Sequence, residues 1–251
     1  MKSLATKNQI SKFPETPDIE TASDGYASRF TGSVGEYFLN IQSGITLELL
    51  KPDKIVKILD VGGGHAQLTP SLINAGYKVT VTGSADVCRR RLESILPAGS
   101  FDYLTCDLLN LPYDDNHFDA VLAFRLLPHV KNWHKLIAEM CRVSVKVVIF
   151  DYPDIRSFNF LYQLLFGAKK ALEGNTREFQ LFKRNEIIDV LKKLNFGSFI
   201  LKQQFFIPMV IHRMIKSVAI SRAAESILRV LGLTYLFGSP VILKASKLQN
   251  T

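Results

Sequence analysis

The chain has 251 residues, enough for one large domain or two small ones with a packed core. Its composition, 47% hydrophobic and 22% charged, is typical of a globular protein, and no apolar run has the length of a membrane span. The three cysteines are dispersed and the first residues lack the apolar run of a secretory leader. These features argue against a disulfide scaffold or a structural zinc site and favour a cytoplasmic location.

The net charge of +8 lies entirely in the last part of the chain. Residues 1–150 contain 16 basic and 16 acidic residues, whereas residues 151–251 contain 15 basic and 7 acidic residues. A block of one sign indicates either a surface for an anionic partner or a solvated basic face. Both alternatives stay open at this point.

The predicted elements begin after a polar segment, residues 1–33, which we expect to be a flexible N-terminal arm. Helical spacing of apolar residues runs from Val34 to Leu50. Short apolar runs then alternate with helical patterns, which predicts a parallel, doubly wound sheet. The predicted strands are Val56–Val61, Tyr77–Thr82, Tyr103–Cys106, Ala120–Phe124 and Val145–Phe150, and the predicted helices are Gln67–Ala75, Asp86–Ile95 and Lys131–Val143.

The alternation changes after Asp151. Neither a repeat nor a linker interrupts the chain, so we expect a single domain over residues 1–251. Helices are predicted at Ile155–Leu172, Asn185–Leu194 and over most of Met209–Leu231, and strands at Ser198–Phe206 and Pro240–Ala245.

A glycine loop follows the first predicted strand, in the stretch KILDVGGGHAQLTPSL that starts at Lys57. Strand–glycine–helix joints bring backbone N–H groups close to ligands, although some are plain tight turns. A phosphate-binding P-loop would need a lysine and a serine or threonine that are absent here. In a dinucleotide motif counted from Gly62, the third glycine would fall on Gln67. The loop therefore fits neither of these phosphate-binding motifs.

Four blocks in order carry a family resemblance: ILDVGGGHA, YKVTVTGS, CDLLNLPYDDNHFDAVLAF and LPHVKNWHKLIAEMCRV. Together they resemble the class I S-adenosylmethionine-dependent methyltransferases, in the branch that acts on small molecules. The resemblance implies an α/β, Rossmann-like fold with a seven-stranded, mostly parallel sheet, helices on both faces and helical insertions. It also implies a cofactor-binding core at residues 34–151 and acceptor-side elements at residues 152–251.

The resemblance further implies which residues bind S-adenosylmethionine. The family's acid after strand 1 maps onto Asp60, and its residue for the adenine amino group maps onto Asp107. Two positions depart from the family pattern: Ala66 replaces the last loop glycine, and Gly83 replaces the acid that binds the ribose hydroxyls. The implied cofactor residues are Asp60, Gly62, Gly63, Gly64, Ala66, Gly83, Ser84, Asp107, Leu108 and Phe124.

The candidate catalytic residues follow the fourth predicted strand. His129 could act as a general base, or it could only help to close the cofactor pocket. Arg125 could contact an anionic acceptor, or its charge could be balanced by Asp151. We expect His65 to face cofactor or solvent, whereas His212 could face the acceptor. No metal site is expected.

A long segment, Ile207–Pro240, separates the last two predicted strands. With the apolar stretch Phe158–Phe166, it is predicted to form a lid over an apolar acceptor pocket, although such stripes can equally belong to the core. Its lysines and arginines are expected to line one side, with the apolar residues turned inward.

We therefore expect methyl transfer to oxygen or carbon of a small, largely apolar metabolite that could carry an anionic group. The alternatives are a non-catalytic cofactor-binding assembly or regulatory protein and, from the charge, an RNA methyltransferase. A soluble acceptor is expected, weak peripheral contact with an anionic membrane is the alternative, and a nucleic-acid partner is not expected.

Overall fold

The structure, a computed structural model, describes residues 13–157 and 179–248. Its strands are β1 (Lys57–Val61), β2 (Lys78–Gly83), β3 (Asp102–Thr105), β4 (Phe118–Ala123), β5 (Ser144–Tyr152), β6 (Phe196–Phe205) and β7 (Ser239–Lys247). They form a seven-stranded sheet in the order β3-β2-β1-β4-β5-β7-β6. Strands β1 to β5 are parallel, and β7 runs antiparallel between β5 and β6.

The described α-helices surround this sheet, and short 3₁₀ turns join several of them. In chain order the α-helices are α1 (Asp18–Thr21), α2 (Asp24–Ala27), α3 (Gly32–Leu50), α4 (Thr69–Asn74), α5 (Arg90–Ile95), α6 (Trp133–Val143), α7 (Arg184–Lys193), α8 (Met209–Ile215), α9 (Val218–Val230) and α10 (Leu233–Phe237).

Each face of the sheet carries a hydrophobic core. Successive side chains of a strand point to opposite faces, so Ile58 and Leu59 of β1 enter different cores. The first core contains Leu72 of α4, and the second contains Leu136 of α6 and Leu191 of α7. The sheet is thus covered by helices on both sides, which confirms the predicted Rossmann-like class I methyltransferase fold.

The strand order reverses beside β1. The chain passes from β1 to its neighbour β2 on one side, whereas β4 lies on the other side of β1. In open α/β sheets a crevice forms at the carboxyl ends of the strands at such a point. The glycine loop after β1 lies at this position.

Most predicted elements occur with shifted ends, and the helix predicted at Met209–Leu231 is divided. Lys216 has a left-handed backbone with φ of 55°, which ends α8, and the Ser217 hydroxyl then accepts the N–H of Ile220 at the start of α9. The stretch Phe158–Phe166, and most of the helix predicted at Ile155–Leu172, lie outside the described residues.

Part of the N-terminal segment that was expected to be flexible is folded. Asp18 and Thr21 of α1 are buried. The Glu15 carboxylate accepts the N–H groups of Lys131 (2.6 Å) and Asn132 (3.0 Å), which precede α6. The expectation of a loose arm is therefore wrong for residues 13–30, because buried and hydrogen-bonded carboxylates hold them on the domain. The division at residues 34 and 151 stays a prediction.

Candidate functional site

A tight turn joins β1 to α4 at the carboxyl edge of the sheet. Gly62 and Ala66 both have left-handed backbones, with φ of 70° and 57°. The Gly62 N–H donates to Thr82 O (2.8 Å), and the Ala66 N–H donates to Gly63 O (2.9 Å). Residues 62–66 are all buried, so the turn is held by β2 and by its own backbone.

Asp60 is the penultimate residue of β1, beside this turn. Its Oδ2 accepts the Thr69 hydroxyl (2.8 Å), whereas its buried Oδ1 has no hydrogen-bond partner among the described residues. Burial raises the pKa of Asp60 to about 7, and the bond from Thr69 opposes that shift. A buried carboxylate oxygen without a donor is costly, so this atom is suited to receive a ligand's N–H or ammonium group.

His65 fixes the turn rather than facing outward. Its Nδ1 accepts the Gln67 N–H (3.1 Å), so its Nε2 carries the proton and donates to Phe124 O (3.1 Å). Burial lowers the pKa of His65 to about 4, which keeps the ring neutral. The expectation that His65 faces cofactor or solvent is wrong, because the side chain is 2% exposed and ties the loop to the end of β4.

The loop glycines make room for neighbouring protein groups. A Cβ at Gly63 would collide with the Asp60 carboxylate, and a Cβ at Gly64 would collide with the backbone oxygen of Cys88. These two positions therefore allow close packing of the loop on β1 and on the turn after β2.

Gly83, at the end of β2, lies against an aromatic side chain from β3. The Tyr103 hydroxyl occupies the space that a side chain at Gly83 would need, and it donates to Ala85 O (3.0 Å). The end of β2 consequently offers no carboxylate of its own.

A carboxylate reaches this place from the N-terminal segment instead. Asp18 of α1 is fully buried and accepts both the Ser84 N–H (2.7 Å) and the Ser84 hydroxyl (2.5 Å). Its Cβ lies beside Gly62, so the side chain sits between the ends of β1 and β2. Among the described residues, no lysine or arginine forms an ion pair with Asp18.

Asp107 follows β3 at the same edge of the sheet. Its Oδ1 accepts the Leu109 N–H (2.9 Å), which closes a short turn, and the side chain is half-buried. Leu108 is buried in the core. The side chain of Asp107 could thus bond a ligand, although part of its hydrogen-bonding capacity serves the turn.

Arg125 follows β4 with a left-handed backbone, φ 56°. Its N–H donates to Asp151 Oδ1 (2.6 Å), its Nε lies 3.4 Å from Asp151 Oδ2, and its terminal nitrogen donates to Gln42 Oε1 (3.1 Å). The guanidinium also packs over the Phe30 ring, and the side chain is 11% exposed. Of the two alternatives, the structure shows the ion pair with Asp151, and a contact of Arg125 with an anionic acceptor stays a prediction.

The two other residues predicted near the end of β4 differ in exposure. Phe124 is fully buried in the core, and its carbonyl oxygen bonds His65. His129 ends the 3₁₀ turn Leu127–His129, is half-buried, and lies 5.7 Å from the Phe179 ring. Only His129 of these two leaves a side chain partly open to a ligand.

His212, which could have faced an acceptor, is instead fully buried beneath α9. Its Nε2 lies 3.0 Å from Glu225 Oε1, and its ring contacts those of Phe38 and Phe205, each at 5.8 Å. The Glu225 carboxylate also accepts the N–H of Phe206 (3.0 Å). This pair anchors the last helices to the end of β6.

Sequence reasoning missed the parts played by Asp18, Gln42 and Glu225. Each is a polar residue in an otherwise unremarkable helical segment, and its partner lies 13 to 83 residues away. The only available signal was that Glu225 is the single acid of Leu191–Thr251. Among the described residues, no cluster of three or more histidine, cysteine or acidic side chains could hold a metal ion.

Comparison with known protein families gives one match that coincides with this site. Residues 59–146, from the end of β1 to the start of β5, match the family described as a methyltransferase domain.

Several curated proteins are similar to this chain. A phthiotriol/phenolphthiotriol dimycocerosates methyltransferase of Mycobacterium tuberculosis is 33% identical over 139 residues, which are 55% of this chain and 48% of that protein. A ubiquinone/menaquinone biosynthesis C-methyltransferase of Psychromonas ingrahamii is 30% identical over 129 residues, 43% of this chain and 51% of that protein. The chain thus spans about half the length of these curated relatives.

Solved structures share the fold. Magnesium protoporphyrin IX methyltransferase of Synechocystis with bound S-adenosylhomocysteine superposes with a TM-score of 0.59 at 15% identity, covering 91% of this chain and 92% of that one. A putative methyltransferase in complex with the Haloferax volcanii Trm112 activator gives a TM-score of 0.62 at 13% identity, covering 91% and 97%. At these identities the likeness concerns the fold alone.

Proposed function

We propose that this chain, which belongs to the class I S-adenosylmethionine-dependent methyltransferases, transfers a methyl group to oxygen or carbon of a small, largely apolar metabolite. The observation that carries the proposal is the buried, unpartnered Oδ1 of Asp60 beside the glycine turn. The cationic amino group of the family's cofactor is the kind of donor that this oxygen lacks.

The residues present fit S-adenosylmethionine, which supplies a methyl group activated on a sulfonium. Asp60 would hold the amino end, and the backbone of residues 62–66 would face the methionine and ribose parts. Asp107 and the backbone of Leu108 would hold the adenine. Gly83 and Phe124 would contribute backbone groups, and Ser84 would position Asp18.

Asp18 is the residue that we propose as the ribose-binding carboxylate. A carboxylate can accept hydrogen bonds from two neighbouring hydroxyls, and in related Rossmann sites an acid near the end of the second strand binds ribose hydroxyls. Gly83 provides no acid there, but Asp18 lies on Ser84 at the end of the same strand. Each oxygen of Asp18 has a further lone pair for a ligand hydroxyl.

An experiment with a cofactor analogue distinguishes a ribose-binding Asp18 from an Asp18 that only blocks the cofactor site. Wild type should bind S-adenosylhomocysteine more tightly than its 2′-deoxy analogue, by about tenfold or more, the range for a hydrogen bond to a charged group. Asp18→Ala should abolish that difference, whereas Glu20→Gln, an exposed change on the same helix, should keep it. If Asp18→Ala increased the affinity for both ligands equally, Asp18 would only block the cofactor site and the proposed ribose-binding role would be wrong.

The proposed reaction asks the chain to bind, orient and, for hydroxyl or carbon acids, remove a proton. His129 is the candidate base, because its half-buried ring lies after β4 and could take that proton on an imidazole nitrogen. Arg125 is given a positioning role in addition to the predicted acceptor contact, since Asp151 pairs with its guanidinium. Through Gln42 it also fixes α3 against the strand ends.

The acceptor class rests on the relatives and on one groove. Names of similar proteins include a ubiquinone/menaquinone and a 2-phytyl-1,4-naphtoquinone methyltransferase, which supports an apolar acceptor such as a quinone-like compound. An open groove of about 420 Å³ between α3 and α9 is lined by Arg222 and Arg229. These arginines support an acceptor with an anionic group.

Transfer of labelled methyl from S-adenosylmethionine to quinone-like phenols tests the proposal. We expect turnover, a loss of about 100-fold or more in His129→Gln if the ring is a base, and no change in the exposed control His134→Gln. Binding of the cofactor without turnover on any extract would favour the alternative, a non-catalytic assembly or regulatory protein, which the buried Asp18 and the departures at Gly83 and Ala66 keep open. Labelling of RNA alone would favour the RNA methyltransferase.

A further inference from the structure

The segment between β6 and β7 turns apolar side chains to solvent. We call residues 207–238, which contain α8, α9 and α10, the helical insertion. Among the described residues, most large exposed apolar side chains lie here. The most exposed, at 58% to 87%, are Met214, Ile220, Ile227, Val230, Leu231 and Tyr235.

Helix α9 buries polar side chains and exposes several apolar ones, the reverse of an ordinary surface helix. Its buried residues are Ser221 and Glu225, whereas Ile220, Ile227 and Val230 are exposed. Surface helices of globular proteins normally bury the apolar side and expose the polar one. The prediction that the apolar residues of this segment point inward is therefore wrong, because the polar face of α9 is engaged by bonds from Glu225.

Those bonds explain why the orientation is held. Glu225 accepts the N–H groups of Phe206 (3.0 Å) and Ile207 (2.9 Å) and contacts His212 (3.0 Å). Rotating α9 to bury Ile227 would leave the buried His212 and the partly buried N–H groups of Phe206 and Ile207 without their acceptor, at a cost of several hydrogen bonds. The outward apolar stripe is thus a fixed feature of the surface.

Positive charge lies beside the stripe. Arg213 and Lys216 of the preceding turn are exposed, as is Met214 between them. The one acid of the insertion, Glu225, is buried. The surface thus combines apolar side chains with exposed cations.

Arg222 and Arg229 face the protein instead. Both line the groove of about 420 Å³ together with Glu225. Arg222 packs over the Tyr37 ring, and Arg229 donates to Gln204 O (3.1 Å).

We propose that the helical insertion binds the surface of an anionic phospholipid bilayer, with the apolar stripe in the interfacial layer and Arg213 and Lys216 at lipid phosphates. Interfacial helices combine these two features, and each basic residue near an anionic surface adds attraction. Pairing of the stripe with a second copy would bring the exposed cations of both copies together, which like charges oppose. The proposal goes beyond the proposed function, since it requires neither cofactor nor acceptor.

Tryptophan emission measures the insertion of the stripe directly. The single native tryptophan, Trp133, is buried, so a tryptophan introduced at Val230 reports its own surroundings. Val230→Trp should shift to shorter wavelength with vesicles of phosphatidylglycerol and phosphatidylcholine. Ile95→Trp, at an exposed apolar position on α5 near the opposite edge of the sheet, should not shift.

Flotation with the same vesicles separates the two contributions. Ile227→Ser with Val230→Ser should abolish binding, while Ile95→Ser should leave it intact. Arg213→Gln with Lys216→Gln should weaken binding to anionic vesicles about 20- to 30-fold, about fivefold per charge. Salt at about 0.5 M should weaken wild type similarly.

Three results would overturn the proposal: no flotation of wild type, equal shifts for both tryptophan variants, or a lipid-free dimer that the Ile227→Ser and Val230→Ser changes dissociate. The last would assign the stripe to a second copy. None of these results bears on methyl transfer, which is assayed with a water-soluble acceptor.

Discussion

The Asp60 carboxylate, whose Oδ1 has no hydrogen-bond partner among the described residues, should make cofactor binding depend on pH. Its pKa is raised to about 7 by burial. If it receives the amino group of the cofactor, only the ionised carboxylate forms the ion pair. Affinity for S-adenosylhomocysteine should therefore fall as pH falls through 7.

The magnitude follows from the ionised fraction. With a pKa of about 7, roughly three quarters of Asp60 is ionised at pH 7.5 and about 3% at pH 5.5. The dissociation constant should rise about 25-fold between these pH values, or about 2 kcal/mol.

Without the cofactor the same pKa shift affects folding in the other direction. The folded pKa lies above the ordinary aspartate value of 3.8, so the native state holds the proton more tightly than the unfolded chain. This contribution to the free energy of unfolding is complete below about pH 4 and is lost as pH rises through 7. Asp60→Asn should consequently stabilise the cofactor-free protein most above pH 7.

Calorimetric titration with S-adenosylhomocysteine at several pH values from 5.5 to 7.5 measures the effect. Asp60→Asn should bind weakly with a flat profile, and the exposed control Asp114→Asn should keep the wild-type slope. A flat wild-type profile, or an unchanged slope in Asp60→Asn, would refute the ion pair with the amino group.

Three further outcomes are expected. Asp107→Ala should weaken S-adenosylhomocysteine binding by about 1–3 kcal/mol in calorimetry, while the exposed Asp102→Ala should not; equal affinities would mean that the adenine lies elsewhere. Ala66→Gly should raise the free energy of unfolding in urea by roughly 1 kcal/mol because it relieves a left-handed alanine, while Ala75→Gly should not; a loss at Ala66 would contradict this. Glu225→Ala should lower the unfolding free energy by about 2–4 kcal/mol, because the partly buried N–H groups of Phe206 and Ile207 lose their acceptor. An unchanged unfolding midpoint would disprove that Glu225 anchors α9.

The sequence was sufficient for the sheet because its strands are local patterns. Runs such as YKVTVT and VKVVIF combine β-branched residues with the length of a buried strand, and both form strands here. The same alternation predicted that the glycine turn follows the first strand, as the structure shows. The four sequence blocks that carry the family resemblance then identified Asp60 as a site residue. The structure adds that its Oδ1 has no hydrogen-bond partner among the described residues.

The rest depended on contacts that no periodicity encodes. Ser84 and Asp18 are 66 residues apart, and the segment containing Asp18 lacked any apolar repeat that would predict burial. The orientation of α9 was predicted wrongly because helical spacing identifies an apolar stripe without saying which side faces the core. Glu225, which decides the orientation, acts through backbone groups of another element.

The place of β7 in the sheet constrains the order in which the chain can assemble. It is the last strand in sequence, yet it lies between β5 and β6, and Lys244 Nζ within it donates to Leu49 O (2.8 Å), 195 residues earlier. Until residues 239–247 leave the ribosome, β6 has no neighbour and β5 keeps an open edge, a state prone to wrong pairing. Chains ending before Ser239 should therefore be substrates for chaperones and proteases rather than shorter enzymes.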